Sequence, residues 1–213
     1  MNYLVNSEYE ALRWGEPFPP NLVRIRIPLD GSCFFHAIAR SYFKPYITGK
    51  LDSKPFNKIK FIRELRKSLA VKLGSKISPT SELTYYETLS RGQLPEIART
   101  MPAFSLKSLQ EELDSSRSVG NIYNEFISDQ LDKDIYILDG SKRDVYMTGN
   151  DDEILYKSRP SIVLLFIPQE NQKGNGGHYE LVGEENNGII KVLFEPTDNL
   201  TETIRNRMLV LRS

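Results

Sequence analysis

The only cysteine of the chain, Cys33, lies in a stretch whose residue types could support nucleophilic chemistry. It follows an Asp-Gly-Ser turn, and residues 33–42 carry apolar side chains at helical spacing. Asp30 and Ser32 are residue types that cap helix N-termini, so the sequence predicts a helix that begins at Cys33. The free N–H groups and positive dipole end of such a helix favour a thiolate over a thiol. The same N–H groups can hold an oxyanion beside the sulfur.

A nucleophilic thiol needs a base, and the chain contains two histidines. His36 lies three residues after Cys33 on the same predicted helix, which leaves little room for a substrate, so we interpret it as a packing or surface residue. His178 follows a glycine-rich segment and begins an apolar strand. Strand alternation puts Glu180 on the same side as His178, where a carboxylate can fix the tautomer of the imidazole.

Each of these features also has a simpler explanation. Most free cysteines are small buried apolar residues, and a histidine at the start of a strand is often only a surface residue. The two motifs are informative because they occur together. The sequence then offers a thiol at a helix N-terminus and a base on a distant strand, which is the requirement for thiol-dependent hydrolysis.

The two motifs together resemble those of a known family. Asp30-Gly31-Ser32-Cys33-Phe34-Phe35-His36-Ala37 is similar to the cysteine signature of the ovarian tumour (OTU) family of cysteine deubiquitinases. His178-Tyr179, followed by an apolar strand, resembles the histidine motif of that family, and the two motifs come in the family's order. The resemblance runs from residue 22 to residue 196, and it is to the compact, stand-alone type of OTU domain.

The resemblance implies a role for each of four residues. Cys33 would be the nucleophile, His178 the general base, and the loop from Asp30 to Cys33 would supply oxyanion-hole N–H groups. Glu180 stands where the family most often has Asp or Asn, so it would orient the imidazole with a longer side chain. Asp30 is the alternative orienter or a loop organiser. The implied partners are ubiquitin and polyubiquitin chains, with ubiquitin-like modifiers as further substrates, and no cofactor or metal is implied.

Hydrophobic periodicity predicts where the helices and strands lie. The predicted helices cover residues 6–14, 33–42, 54–74, 82–90, 105–113, 121–131 and 199–208. The predicted strands cover residues 22–27, 135–138, 145–147, 161–167, 178–182 and 189–194. With the resemblance, this order predicts an α+β, papain-like OTU fold, in which helical lobes flank a central, mostly antiparallel sheet.

The bulk properties bound the class of protein. A length of 213 residues suits one domain, with the motif core at residues 22–196. The 28 basic and 28 acidic residues balance, which gives no general attraction to nucleic acid or membranes. A single cysteine excludes an internal disulfide framework, and we find no signal peptide or membrane-spanning run. We therefore expect a monomer in the cytoplasm of a cell, or of a host cell if the chain is a viral protein or a bacterial effector.

Other chemistries fit the sequence less well. One cysteine and two histidines are too few for a Cys/His zinc site, and the glycines at positions 174, 176 and 177 lack the following Gly-Lys-Ser/Thr of a phosphate-binding loop. A papain-type peptidase remains an alternative, with its orienting asparagine at Asn186, Asn187 or Asn199. The other alternative is a ubiquitin-binding module with a degenerate site, for which Glu180 is the sequence hint.

Overall fold

The computed structural model describes residues 3–5, 7–147, 157–168 and 177–213. Most of the glycine-rich segment before His178 lies outside these residues. The helices of the described part are α1 (Cys33–Tyr42), α2 (Lys44–Thr48), α3 (Lys58–Leu73), α4 (Tyr85–Thr88), α5 (Leu94–Thr100), α6 (Leu106–Asp114), α7 (Asn124–Leu131) and α8 (Asn199–Arg212). None of them is long and apolar enough to cross a membrane.

The strands form one large sheet and one small hairpin. The strands are β1 (Tyr3–Val5), β2 (Glu10–Ala11), β3 (Leu22–Ile25), β4 (Lys50–Leu51), β5 (Lys54–Pro55), β6 (Asp134–Asp139), β7 (Asp144–Val145), β8 (Ser161–Pro168), β9 (Gly177–Asn186) and β10 (Ile189–Lys191). The large sheet has the order β1-β10-β9-β8-β6-β7, with β3 paired to β9 and β2 paired to β3. Only the pair of β6 and β8 among these is parallel, so the prediction of a mostly antiparallel sheet is confirmed.

Strand β9, which carries His178, lies at the centre of the sheet. Leu181 pairs with β3 on one side and with β8 on the other, and Glu184 pairs with β3 and β10 in the same way. One edge of β9 is therefore covered by β3, and the other edge is shared by β8 and β10. Residues 181 and 184 are paired on both edges, whereas His178, nearer the start of β9, pairs with Ile167 of β8.

Helices cover both faces of the sheet, so the central strands are apolar on both sides. Ile162 and Leu164 of β8 enter the core on the side of α1, α3, α6 and α7. Val163 and Leu165 enter the core on the side of α8 and the N-terminal segment. This alternation explains why residues 161–167 read as a continuous apolar run in the sequence.

Three of the predicted elements are wrong or misplaced. The predicted helix 6–14 is instead an extended segment, because Glu10 and Ala11 pair with β3; residue 6 lies outside the described part. Helix α3 begins at residue 58 rather than 54, because β5 precedes it and Asn57 accepts a hydrogen bond from Lys60 N at 2.9 Å as the N-cap. The predicted helix 82–90 contains only the short α-helix α4, which begins after the N-cap Thr84.

Gly183 provides a test of how tightly β9 is held. A Cβ atom there would lie 2.4 Å from Ile190 Cγ2 and 2.8 Å from the Lys191 carbonyl oxygen. We expect Gly183→Ala to lower the free energy of unfolding by about 1–3 kcal/mol, because the backbone of β10 must shift to admit the methyl group. Thermal or urea unfolding measures the change. Gly120→Ala is the matched control, since a Cβ at Gly120 meets nothing within 4 Å; equal losses in the two variants would contradict this packing.

Candidate active site

Cys33 is the first residue of α1, as the sequence predicts, and it is buried. Its sulfur accepts a hydrogen bond from the backbone N–H of Tyr179 at 3.4 Å, across 146 residues of chain. The Tyr179 ring packs edge-on against Phe34, with ring centroids 5.2 Å apart. The nucleophile motif and the histidine motif are thus in direct contact in the folded chain.

His178 is the residue next to Tyr179 and is 8% exposed. Its Nε2 atom lies 3.8 Å from Glu180 Oε1, so the two predicted partners are neighbours but are too far apart for a direct hydrogen bond. The other oxygen of Glu180 lies 3.5 Å from Arg24 Nη1. The carboxylate is buried between the imidazole and the guanidinium.

Burial dominates the titration of the central groups. It raises the pKa of the Cys33 thiol, and the N–H groups of Tyr179, Phe34 and Cys33 itself lower that pKa by a smaller amount. The N–H groups at the helix N-terminus lower the pKa of Cys33, as expected. Burial has the larger effect, so the net shift of that pKa favours the thiol. Burial also lowers the pKa of the His178 imidazole, against the opposite effects of the Asp30 charge and the Ile27 backbone. Both shifts favour the neutral forms of the two groups.

Asp30 is bonded to the second histidine rather than to His178. Its Oδ2 lies 2.8 Å from His36 Nε2, and its Oδ1 accepts the N–H of Ser32 at 3.0 Å. The other ring nitrogen of His36 lies 2.6 Å from the Tyr46 hydroxyl. His36 is buried, so its interpretation as a surface residue is wrong and its interpretation as a packing residue fits. Of the two sequence candidates for the orienter, Glu180 is the one placed beside His178, and Asp30 organises the cysteine loop.

A charge network that the sequence motifs do not indicate lies behind Glu180. Arg24 of β3 donates from Nε to Glu10 Oε2 at 2.9 Å, and Arg26 also bonds to Glu10. Burial raises the pKa of Glu180, and the nearby charge of Arg24 lowers it. The signal in the sequence is the alternation of arginines with apolar residues in β3, which puts Arg24 and Arg26 on one face of that strand.

A second missed feature lies beneath the cysteine loop. Arg66 of α3 is 2% exposed, although arginine is rarely so buried. Gly31 has a φ of +62°, and a Cβ atom there would lie 2.2 Å from the Ser116 carbonyl oxygen. The glycine of the motif is thus required both by the backbone conformation and by a close approach.

A groove of about 520 Å³ opens on the sheet face opposite α1. Trp14, Arg24 and Ile167 contribute to its lining, and Ile167 is the residue that pairs with His178 across β8 and β9.

Within the described residues, no three His, Cys, Asp or Glu side chains come together as a metal site requires. What this arrangement can do is acid–base and nucleophilic chemistry with its own side chains.

The chain is similar to solved structures of one fold. No protein-family model matches the chain, and no curated protein sequence matches it. A solved structure of an OTU domain in complex with ubiquitin is similar to it, with a TM-score of 0.51 and 19% sequence identity over 90% of this chain and 85% of that chain. The OTU domain of OTUD1 gives a TM-score of 0.42 and 17% identity over 76% of this chain and 85% of that one. From the first of these likenesses we conclude that the chain has the fold of an OTU domain.

Proposed function

We propose that this protein is a cysteine-dependent deubiquitinase that hydrolyses the isopeptide bond after the C-terminal glycine of ubiquitin, in polyubiquitin chains or conjugates. The observation that carries the proposal is the 3.4 Å contact between the Cys33 sulfur and the backbone of Tyr179, the neighbour of His178. The OTU fold, and the ubiquitin bound to one structure of that fold, support ubiquitin as the substrate.

The proposed reaction uses Cys33 and His178 in two steps. His178 takes the thiol proton as the sulfur attacks the carbonyl carbon of the C-terminal glycine. The backbone N–H groups around the start of α1 hold the oxyanion that develops. The imidazolium then gives its proton to the leaving lysine amine, and a thioester remains on Cys33. Water, deprotonated by the same histidine, hydrolyses the thioester and restores the thiol.

Glu180 acts in this scheme through the imidazole. Its carboxylate lies where it can favour one tautomer of His178 and stabilise the imidazolium that forms. Arg24 favours the charged form of Glu180, which burial alone would disfavour. The 3.8 Å separation must shorten by roughly 0.6 Å to become a hydrogen bond, and apo active sites often show such long contacts.

The fold does not favour a papain-type peptidase, because the asparagines that could orient its histidine lie far from His178. Asn186 is eight residues beyond His178 on β9, which puts the two about 26 Å apart at the rise of a strand. Asn187 follows it in the turn to β10. Asn199 begins α8, next to Asp198, whose side chain bonds to Lys191 at that same far end of β9. None of the three candidates comes near the imidazole.

A non-catalytic ubiquitin-binding module is the second candidate function. One observation favours it: no hydrogen bond joins Glu180 to His178. An electrophilic ubiquitin probe separates the two candidates, because an active enzyme forms a covalent adduct and a binding module does not. Since Cys33 is the only cysteine, the position of an adduct is unambiguous.

The first prediction concerns the nucleophile. We expect Cys33→Ala to abolish cleavage of a fluorogenic ubiquitin amide and to leave the affinity for ubiquitin within about threefold, because the change removes the sulfur and little contact area. The release of fluorophore over time measures cleavage, and calorimetric titration measures the affinity for ubiquitin. The wild-type chain should be labelled by the probe at Cys33. Residual cleavage by Cys33→Ala would end the assignment, and an unlabelled wild type would favour the binding module.

The second prediction concerns the orienter. We expect Glu180→Gln to lower kcat roughly tenfold to a hundredfold with little change in KM, because the imidazolium loses its buried anion while the shape is kept. Glu184→Gln is the matched control, since Glu184 lies on the same strand and its carboxyl also has a pKa raised by burial. Wild-type kcat in Glu180→Gln would show that this carboxylate does not act on His178.

The third prediction concerns the resting protonation state. Because burial raises the pKa of Cys33 and lowers that of His178, the pair should be neutral near pH 7. The rate of Cys33 alkylation by iodoacetamide should therefore keep rising beyond pH 8.5, about the ordinary value of a cysteine. His178→Ala should leave this profile nearly unchanged. A plateau at acidic to neutral pH that disappears in His178→Ala would instead reveal a thiolate–imidazolium pair.

A further inference from the structure

Arg66 makes an unusual set of contacts for an arginine in the middle of a helix. It is 2% exposed, and its guanidinium lies over the Phe35 ring with 4.8 Å to the centroid. A guanidinium has five N–H groups, and each can be assigned a partner here. The acceptors are Leu113 O at 2.8 Å from Nε, Gly31 O at 3.2 Å and Ser32 Oγ at 2.8 Å from Nη1, and Glu112 O at 3.0 Å and Arg117 O at 2.8 Å from Nη2.

These hydrogen bonds connect three segments of the chain. The first is α3, which carries Arg66. The second is the cysteine loop, through Gly31 and Ser32. The third is the end of α6 and the residues after it, 112–117. The last two segments also touch directly, because Gly31 packs so closely on Ser116 that a Cβ atom would not fit. Arg66 is the side chain that joins all three.

The peptide unit between Gly31 and Ser32 is held at both ends. Its carbonyl oxygen accepts from Arg66, and its N–H donates to Asp30 Oδ1 at 3.0 Å. The Ser32 hydroxyl makes no capping bond to α1, and its partner is Arg66. Cys33 is the next residue, so the plane of this peptide sets the direction in which the sulfur and the first N–H groups of α1 point.

The partners of Arg66 are four backbone carbonyls and one hydroxyl, all of them neutral. A buried cation without a bonded carboxylate is costly, so packing alone gives no reason to have one here. A planar guanidinium offers something that an apolar side chain lacks, since its donors lie in a fixed plane and fix the carbonyls that they meet.

We propose that Arg66 is a positioning residue that holds the Gly31–Ser32 peptide, and through it Cys33 and the oxyanion-binding N–H groups, in the orientation needed for catalysis. The proposal deepens the deubiquitinase function proposed above and rests on it. Arg66 does not contact the substrate carbonyl in this scheme; it acts through the loop.

The charge of Arg66 supports the same role. Burial lowers the pKa of its guanidinium, and the charges of Glu112, Asp30 and Cys33 raise it. Coupling between two ionisable groups is reciprocal, so a charged Arg66 favours the thiolate form of Cys33. Asp30 has the opposite effect on the thiol.

The experiment compares Arg66→Lys and Arg66→Met with Arg63→Lys and Arg63→Met in the full chain. Arg63 is exposed and lies three residues earlier on the same helix, so it controls for helix propensity and net charge. Lysine keeps the charge, but its single nitrogen cannot bridge the three segments. We expect Arg66→Lys to lower kcat on a fluorogenic ubiquitin amide roughly tenfold to a hundredfold, with KM within about threefold. The Arg63 variants should stay within twofold of the wild type.

Two further measurements separate positioning from folding and from the identity of the substrate. Alkylation of Cys33 by iodoacetamide needs no ubiquitin, and its rate at pH 8 should fall in both Arg66 variants and not in the Arg63 variants. Circular dichroism gives the folded fraction. A wild type that is alkylated normally but does not cleave ubiquitin would defeat the proposed function alone, and the alkylation rates would still decide the role of Arg66.

A double-mutant cycle with Ser32→Ala tests the contact itself. Ser32→Ala removes one acceptor and leaves the charge of Arg66 in place, so it should lower kcat by a smaller factor. The Arg66→Lys/Ser32→Ala variant should be little worse than Arg66→Lys, because both changes remove the same contact. Three outcomes would overturn the proposal. The kcat losses of the two single variants could multiply in the double variant, or Arg66→Lys could keep wild-type kcat and alkylation rate. The loss of kcat could also simply equal the loss of folded protein. If neither Arg66 variant folds, unchanged kcat and alkylation in Ser32→Ala overturns it.

Discussion

The hydrogen bond from the Tyr179 backbone to the Cys33 sulfur is the contact on which the candidate site depends. It exists only if α1 packs against the middle of the sheet with its first turn at the start of β9. The Tyr179 ring fixes that position from one face by packing on Phe34 and Phe166. His178 then needs no further element to place it, because it is the adjacent residue. A sulfur near one end of the chain and the backbone of the histidine motif near the other end are joined by this one helix–strand contact.

Two arginines support the site from opposite sides, one at the cysteine loop and one at Glu180. Arg66 reaches the cysteine loop from the helical side and binds neutral carbonyls. Arg24 reaches Glu180 from β3, and is itself bonded to Glu10. The first arrangement bonds the carbonyl of the Gly31–Ser32 peptide, and in the second Arg24 lowers the pKa of Glu180 against the larger effect of burial. Each depends on a segment far from the motifs, so the motifs alone do not make the site.

The sequence predicts the parts of this structure that follow from local pattern. The bounds of α1 match, and the central strands appear as predicted because their apolar residues enter two cores. Two of the failures involve partners from elsewhere in the chain. Glu10 reads as helical until its strand pairing with Arg24 is known. Arg66 is buried by hydrogen bonds to the cysteine loop and to residues 112–117, which the local pattern does not place. Periodicity reports which face of an element is apolar, but not which polar side chain has found enough partners to be buried.

Two opposing effects determine the pKa of the Cys33 thiol, and the net result is a raised pKa. A helix N-terminus lowers the pKa of a cysteine, yet the same packing that brings Tyr179 to the sulfur removes water from it, and burial has the larger effect. The pKa shifts of Cys33 and His178 both favour the neutral forms, and a neutral thiol is less open to oxidation than a thiolate. In the proposed mechanism, proton transfer to His178 accompanies the attack of the sulfur. The free energy of the imidazolium that develops then matters more than the resting charge of the sulfur, and the buried Glu180 carboxylate lies where it can lower that free energy.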